Sequence, residues 1–178
     1  MKRLTAIQKT FRVFEVISKV AMIFSFVWAG LTVTGLLCGA VWYSGSRIAG
    51  FGRETLLFLT LTDSLGQMVG VLLSELVFAL ANGVLFLFAF RYFQQEQADG
   101  TPFTESGAEQ VEQLGVQTII LPLVAAILSA SFYGVFDLSG VNTVNQGYLL
   151  SISLGILLIL AAQVFRYGAE LEAGKEAA

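Results

Sequence analysis

The residues able to do chemistry in this chain are few. Glu75 is the one carboxylate inside a long apolar run, and Asn82 follows it seven residues later in the same run. A carboxylate held in hydrocarbon can relay a proton, bind a cation or pair with hydroxyl groups. Thr34, Ser131 and Ser151 fall at similar depth in other runs, and Arg47 and Arg53 lie in a nearby loop. An amide near mid-membrane usually ties helices together, and Ser129 and Ser153 are its expected partners. A second group is the acidic set Glu105, Glu109 and Glu112, preceded by Phe103, which suits a protein-binding surface. A third is a repeated tag. Phe90-Arg91-Tyr92 with Glu96 recurs 75 residues later as Phe165-Arg166-Tyr167 with Glu170. Arginine at a membrane boundary snorkels to phosphates while tyrosine anchors the interface, so Arg91, Tyr92, Arg166 and Tyr167 are candidate anchors. The spacing of Arg166 and Glu170 also allows a pair within one helix; that of Arg91 and Glu96 does not.

Histidine is absent, which removes the commonest metal ligand and general base. The single cysteine, Cys38, cannot form an intrachain disulfide. The serines and threonines lack a histidine or cysteine to activate them, and the acidic set lacks calcium-loop spacing. These absences point to a protein that is not an enzyme and carries no cofactor or metal.

The elements that must position these residues are membrane helices. The chain is 56% hydrophobic and 13% charged, against about 25% charged in a soluble domain, so one soluble core cannot hide its apolar surface. Apolar runs at 20–43, 68–90, 116–136 and 147–165 each approach the roughly 20 residues needed to cross a bilayer. Trp42, Tyr43, Tyr92, Tyr133, Tyr148 and Tyr167 lie near the run ends, as an aromatic belt requires. The expected fold is an all-α, four-helix integral membrane protein. A cleaved secretory signal fits poorly, because 19 residues precede the first run and that run is too long.

Orientation follows from the basic residues. Lys2, Arg3, Lys9, Arg12, Lys19, Arg91, Arg166 and Lys175 fall on one side, and Arg47 and Arg53 on the other. The positive-inside tendency places both termini and the 91–115 linker in the cytoplasm. Residues 1–19 carry a helical stripe of Leu4, Ile7, Phe11 and Phe14 among basic residues, which suits either an amphipathic segment on anionic lipid or an extension of the first span. The remaining residues, 20–178, form the transmembrane domain. In the first outer loop, apolar and threonine-rich residues 55–62 fit a short strand or an interfacial segment. In the linker, Asp99-Gly100-Thr101-Pro102 signals a turn. Thr104 or Ser106 can then cap a helix, and Ser106 with Glu109 fits a capping box. Gly30, Gly35 and Gly39 suit close helix packing.

Two stretches carry a resemblance: Arg91 to Thr104, chiefly Asp99-Gly100-Thr101-Pro102-Phe103-Thr104, and Val164-Phe165-Arg166-Tyr167-Gly168-Ala169-Glu170-Leu171. On these the chain resembles a bacterial family of four-span membrane proteins catalogued as domain of unknown function 2975. The resemblance implies four spans, cytoplasmic termini and a place in the bacterial cytoplasmic (inner) membrane. Some members look to be encoded beside small helix-turn-helix regulators, which suggests signalling. No catalytic residue is carried over. Members usually have a basic helix after the Pro-Phe-Thr turn; here Glu105, Glu109 and Glu112 replace it, which argues against nucleic acid as a direct partner.

Two functions follow as expectations. The first is partner binding or signalling through the linker and termini, with membrane lipids and a cytoplasmic protein as partners. In it, the basic N-terminal segment can dock on the acidic linker helix. The second is transport by a homo-oligomer using Glu75 and Asn82. A duplication of a two-helix unit would explain the repeated tags.

Overall fold

The computed structural model describes residues 2–43, 62, 64–99, 104–138 and 147–176. It is all-helical across them. The four helices are α1 (Lys2–Tyr43), α2 (Leu65–Asp99), α3 (Glu105–Val135) and α4 (Gly147–Glu176). All four are long and apolar enough to cross a membrane. No strand occurs among the described residues. The strand expected at 55–62 lies outside them, apart from Thr62.

Every helix outruns the apolar segment that nucleates it. The 42 residues of α1 span about 63 Å, twice a hydrocarbon core of about 30 Å. Residues 2–19 are thus continuous with the first span. The ends of α1 and α4 that carry the termini meet the end of α2 and the start of α3, and together they form a tier at one end of the molecule.

The helices stand in a row in chain order. Extensive contact joins α1 to α2, α2 to α3 and α3 to α4, and no other pair is extensively joined among the described residues. α2 and α3 are therefore interior helices, and α1 and α4 are edges. Small residues set the seams. α1 turns Ser18, Ser25, Ala29 and Thr32 inward and leaves Phe24, Val27 and Leu31 outward. Gly39 lies on Met68, Gly35 on Leu72 and Gly83 on Phe26. Gly30 faces open space and takes no part in this packing. The reason is phase: Gly35 and Gly39 are one turn apart, whereas five residues from Gly30 to Gly35 rotate the face by about 140°.

The α3–α4 seam is the tightest. A Cβ on Gly115 would stand 2.9 Å from the Gly155 carbonyl oxygen and 3.0 Å from the Ile159 nitrogen. Backbone meets backbone there, so neither glycine has room for a side chain. At its far end α3 closes with a Schellman turn. The Phe136 amide donates to the Phe132 carbonyl at 2.9 Å, and the Leu138 amide donates to that of Tyr133 at 3.2 Å. Asp137 takes the left-handed position at φ 50° that glycine more often fills. The turn buries Leu138 against Gly70 of α2.

Candidate functional site

The tier at the termini is the best-built polar region. Its core is Tyr92 of α2, Val111 and Leu114 of α3 and Ala162 of α4, with Phe88, Phe93, Leu158 and Phe165 packed around them. α1 joins through aromatic contacts: the Phe14 and Phe93 rings stack at 5.5 Å, and Phe11 lies 6.2 Å from Phe93. Lys19 sits 5.9 Å above the Phe90 ring, a weak cation–π contact. Gln97 donates a side-chain hydrogen bond to Glu15.

The docking of α1 thus differs from the expected one. Phe11, Phe14 and Lys19 of the N-terminal segment rest on the aromatic end of α2, and Glu15, the segment's single acid, makes a polar contact there. The acidic start of α3 makes its ion pair elsewhere. Glu112 accepts a 2.8 Å hydrogen bond and ion pair from Arg166 of α4. Arg166 therefore reaches across to α3, where local spacing offered Glu170. Glu105 and Glu109 stay exposed on the outer side of the same helix. Phe103 lies outside the described residues.

The start of α3 explains why this linker helix is fixed. Thr104, and not Ser106, is the N-cap: its side-chain oxygen accepts from the Gly107 amide at 3.0 Å. A capping box needs a carboxylate at the third helical position, and Gly107 stands there. Glu96 of α2 brings its carboxylate to the same place, in the space where a Gly107 Cβ would sit. Glu96 is only 1% exposed. The partial positive charge at a helix amino end favours a carboxylate there. Sequence reasoning missed Glu96, since an acid just past an apolar run reads as a solvated one. The signal that could have found it is its four-residue spacing from Tyr92, which puts both on one face of α2.

The four candidate anchors separate. Tyr92 is 6% exposed and belongs to the protein core, which corrects its reading as a lipid-interface anchor. Arg91 and Tyr167 are exposed. Arg166 is half-buried in its pair with Glu112.

Glu75 and Asn82 lie farther from the termini. The Trp28 indole N–H donates to Glu75 Oε2 at 3.3 Å, so this carboxylate ties α1 to α2. The Tyr133 hydroxyl is within electrostatic reach of Glu75. That hydroxyl and Ser74 Oγ are buried with no hydrogen-bond partner among the described residues. Thr34 and Ser131, expected near Glu75, bond to the carbonyls of Gly30 and Ile127 in their own helices. Arg47 and Arg53 lie outside the described residues. Asn82 is exposed and hydrogen-bonds no described residue, so neither Ser129 nor Ser153 is its partner. Seven residues return a helix to nearly the same face, so Glu75 and Asn82 share one side of α2. No group of three potential metal-ligating side chains occurs among the described residues.

No family model, no curated protein and no solved structure matches this chain.

Proposed function

We propose that this chain is a non-enzymatic, multi-pass protein of the bacterial cytoplasmic membrane that binds a protein partner through its linker helix. The tier of termini faces the cytoplasm in this reading. The observation that carries it is the fixing of the first turns of α3. The Thr104 cap, the Glu96 carboxylate and the Glu112–Arg166 pair hold that helix on α2 and α4. Glu105 and Glu109 are then presented outward at a constant position, one turn apart. A rigid pair of carboxylates selects a basic partner surface and gives a salt-sensitive contact. Glu112 has an internal task and contributes to the surface by holding it.

The test is affinity capture from gently solubilised native membranes, followed by mass spectrometry. The wild type is compared with a variant carrying Glu105→Gln and Glu109→Gln. A near-stoichiometric partner lost in that variant, and released by raised salt, supports the reading. A partner retained by the variant, or none in either sample, defeats it.

A second reading, transport by an oligomer, draws on the shared face of Glu75 and Asn82. Loss of function with Glu75→Gln, and none with the linker double variant, would move the assignment there. Because Glu75 also bonds Trp28, the Trp28→Phe variant separates the two roles. A purely structural Glu75 is matched by Trp28→Phe; a conducting one is not.

A further inference from the structure

Glu75 sits where three helices meet. It continues the strip of Met68 and Leu72 that faces α1, and Trp28 reaches it from there through the 3.3 Å indole hydrogen bond. From α3, Tyr133 brings its hydroxyl within electrostatic reach of the same carboxylate. Glu75 is only half-buried, so it forms the floor of a groove with an aromatic wall from each neighbour. Phe24, stacked on Trp28 at 6.5 Å and exposed, extends the α1 wall. Asn82 stands exposed two turns farther along the same side of α2.

Two observations say what this groove takes. The first is charge. Among the described residues, no lysine or arginine comes near Glu75: Lys19 lies about 14 Å along α1 from Trp28, and Arg91 about 24 Å along α2 from Glu75. One long hydrogen bond from an indole does not neutralise a carboxylate in hydrocarbon. The second is the hydroxyls. Hydroxyls in these spans bond the carbonyl one turn back, as Ser25, Thr34, Thr118 and Ser131 do. Ser74 forgoes that bond. Its oxygen, like that of Tyr133, is buried with no partner among the described residues. Such groups inside a span mark a place that binds something.

The class of occupant follows. A hard divalent ion takes about six oxygen ligands, and no group of three potential metal-ligating side chains occurs among the described residues. A further helix, about 10 Å wide, has no seat where Trp28 and Tyr133 converge on one carboxylate. An organic cation suits the groove, because aromatic faces attract its charge and hydrocarbon accepts its apolar part. We propose that Glu75, Trp28 and Tyr133 form an intramembrane site for a lipophilic ammonium, which enters from the bilayer past Phe24. Its N–H donates to the Glu75 carboxylate, and the Trp28 ring and the Tyr133 hydroxyl enclose its charged head. The site is separate from the linker surface and requires no transport.

The experiment is equilibrium dialysis of N,N-dimethyl-4-phenylbutylammonium against the full chain in lipid nanodiscs, with binding to empty nanodiscs subtracted. Saturable binding to the wild type is expected. The uncharged 4-phenylbutanol, of similar shape, should not compete. Glu75→Gln should weaken binding by at least about tenfold, and Trp28→Leu by about threefold. The Glu105→Gln, Glu109→Gln double variant should bind like the wild type, which excludes adsorption to surface carboxylates. Binding that survives Glu75→Gln, that the alcohol abolishes, or that does not exceed the empty nanodiscs overturns the proposal, as does its loss in the linker variant. A second arm needs no variant, so it stands even if Glu75→Gln fails to fold. A hydrophobic carbodiimide labels carboxyl groups within the bilayer, and mass spectrometry maps the adducts. Saturating ammonium should remove most of the labelling at Glu75. Undiminished labelling there overturns the proposal.

Discussion

The two Phe-Arg-Tyr tags have nearly the same sequence and opposite surroundings. In α2, Tyr92 is 6% exposed and Glu96 1%, while Arg91 faces out. In α4, Tyr167 is 63% exposed and Glu170 lies in the open, while Arg166 turns in to Glu112. Two causes produce this inversion. An interior helix has neighbours on two sides, so more of its positions are covered. The glutamate also follows the arginine by five residues in one tag and four in the other, and one residue turns a helix by about 100°. A short motif therefore sets the local chemistry available, and the place of its helix in the row decides which part is used.

The largest test of that comparison is the tyrosine pair. Tyr92→Ala should cost about 3 kcal/mol, as a large ring is removed from a filled core. Tyr167→Ala in the monomer should stay within about 0.5 kcal/mol. Unfolding in mixed micelles by SDS titration measures both. Equal losses would mean that burial in the tier does not set stability.

The glutamates come next. Glu96→Gln keeps the shape but places an uncharged amide against Gly107 and Thr104, so a loss of about 1–3 kcal/mol is expected. Glu170→Gln should leave the same titration unchanged. A neutral result for Glu96→Gln would show that its charge contributes nothing to the start of α3.

The arginines give the smallest effect. Glu112 and Arg166 are each 38% exposed, so solvent screening limits Arg166→Gln to a loss of at most about 1 kcal/mol. The loss should shrink as salt is raised. Arg91→Gln should show neither the loss nor its salt dependence. A salt-independent loss for Arg166 would assign its role to packing of the side-chain stem.

Much of the fold is legible in the sequence because hydrocarbon imposes a length. Runs of about 20 apolar residues locate four helices without reference to any partner. The helix ends are less legible. The stripe of residues 4–14 suits a separate interfacial helix as well as a continuous one, since both turn at the same period. Tertiary choices are least legible. Arg166 has a local partner at helical spacing in Glu170 and a distant one in Glu112, and only the α3–α4 crossing at Gly115 and Gly155 brings the distant one near. Thr104 and not Ser106 caps α3, and the carboxylate beside its first turn comes from Glu96, eight residues upstream on another helix, which local spacing does not reveal.

The row of helices also bears on biosynthesis. Each helix after the first makes extensive contact with the one inserted just before it. Most contacts of each new segment are with the helix next to it in sequence, so loop closure over long stretches does little to slow assembly. Trp28 and Glu75 can join as soon as the second helix enters the bilayer, before α3 and α4 follow. The tier at the termini closes last, when Ala162 and Phe165 join the cluster that holds Tyr92 and Arg166 finds Glu112. The linker surface therefore reaches its final form only after the whole chain has been synthesised, and an incomplete product would carry the carboxylates without the frame that aims them.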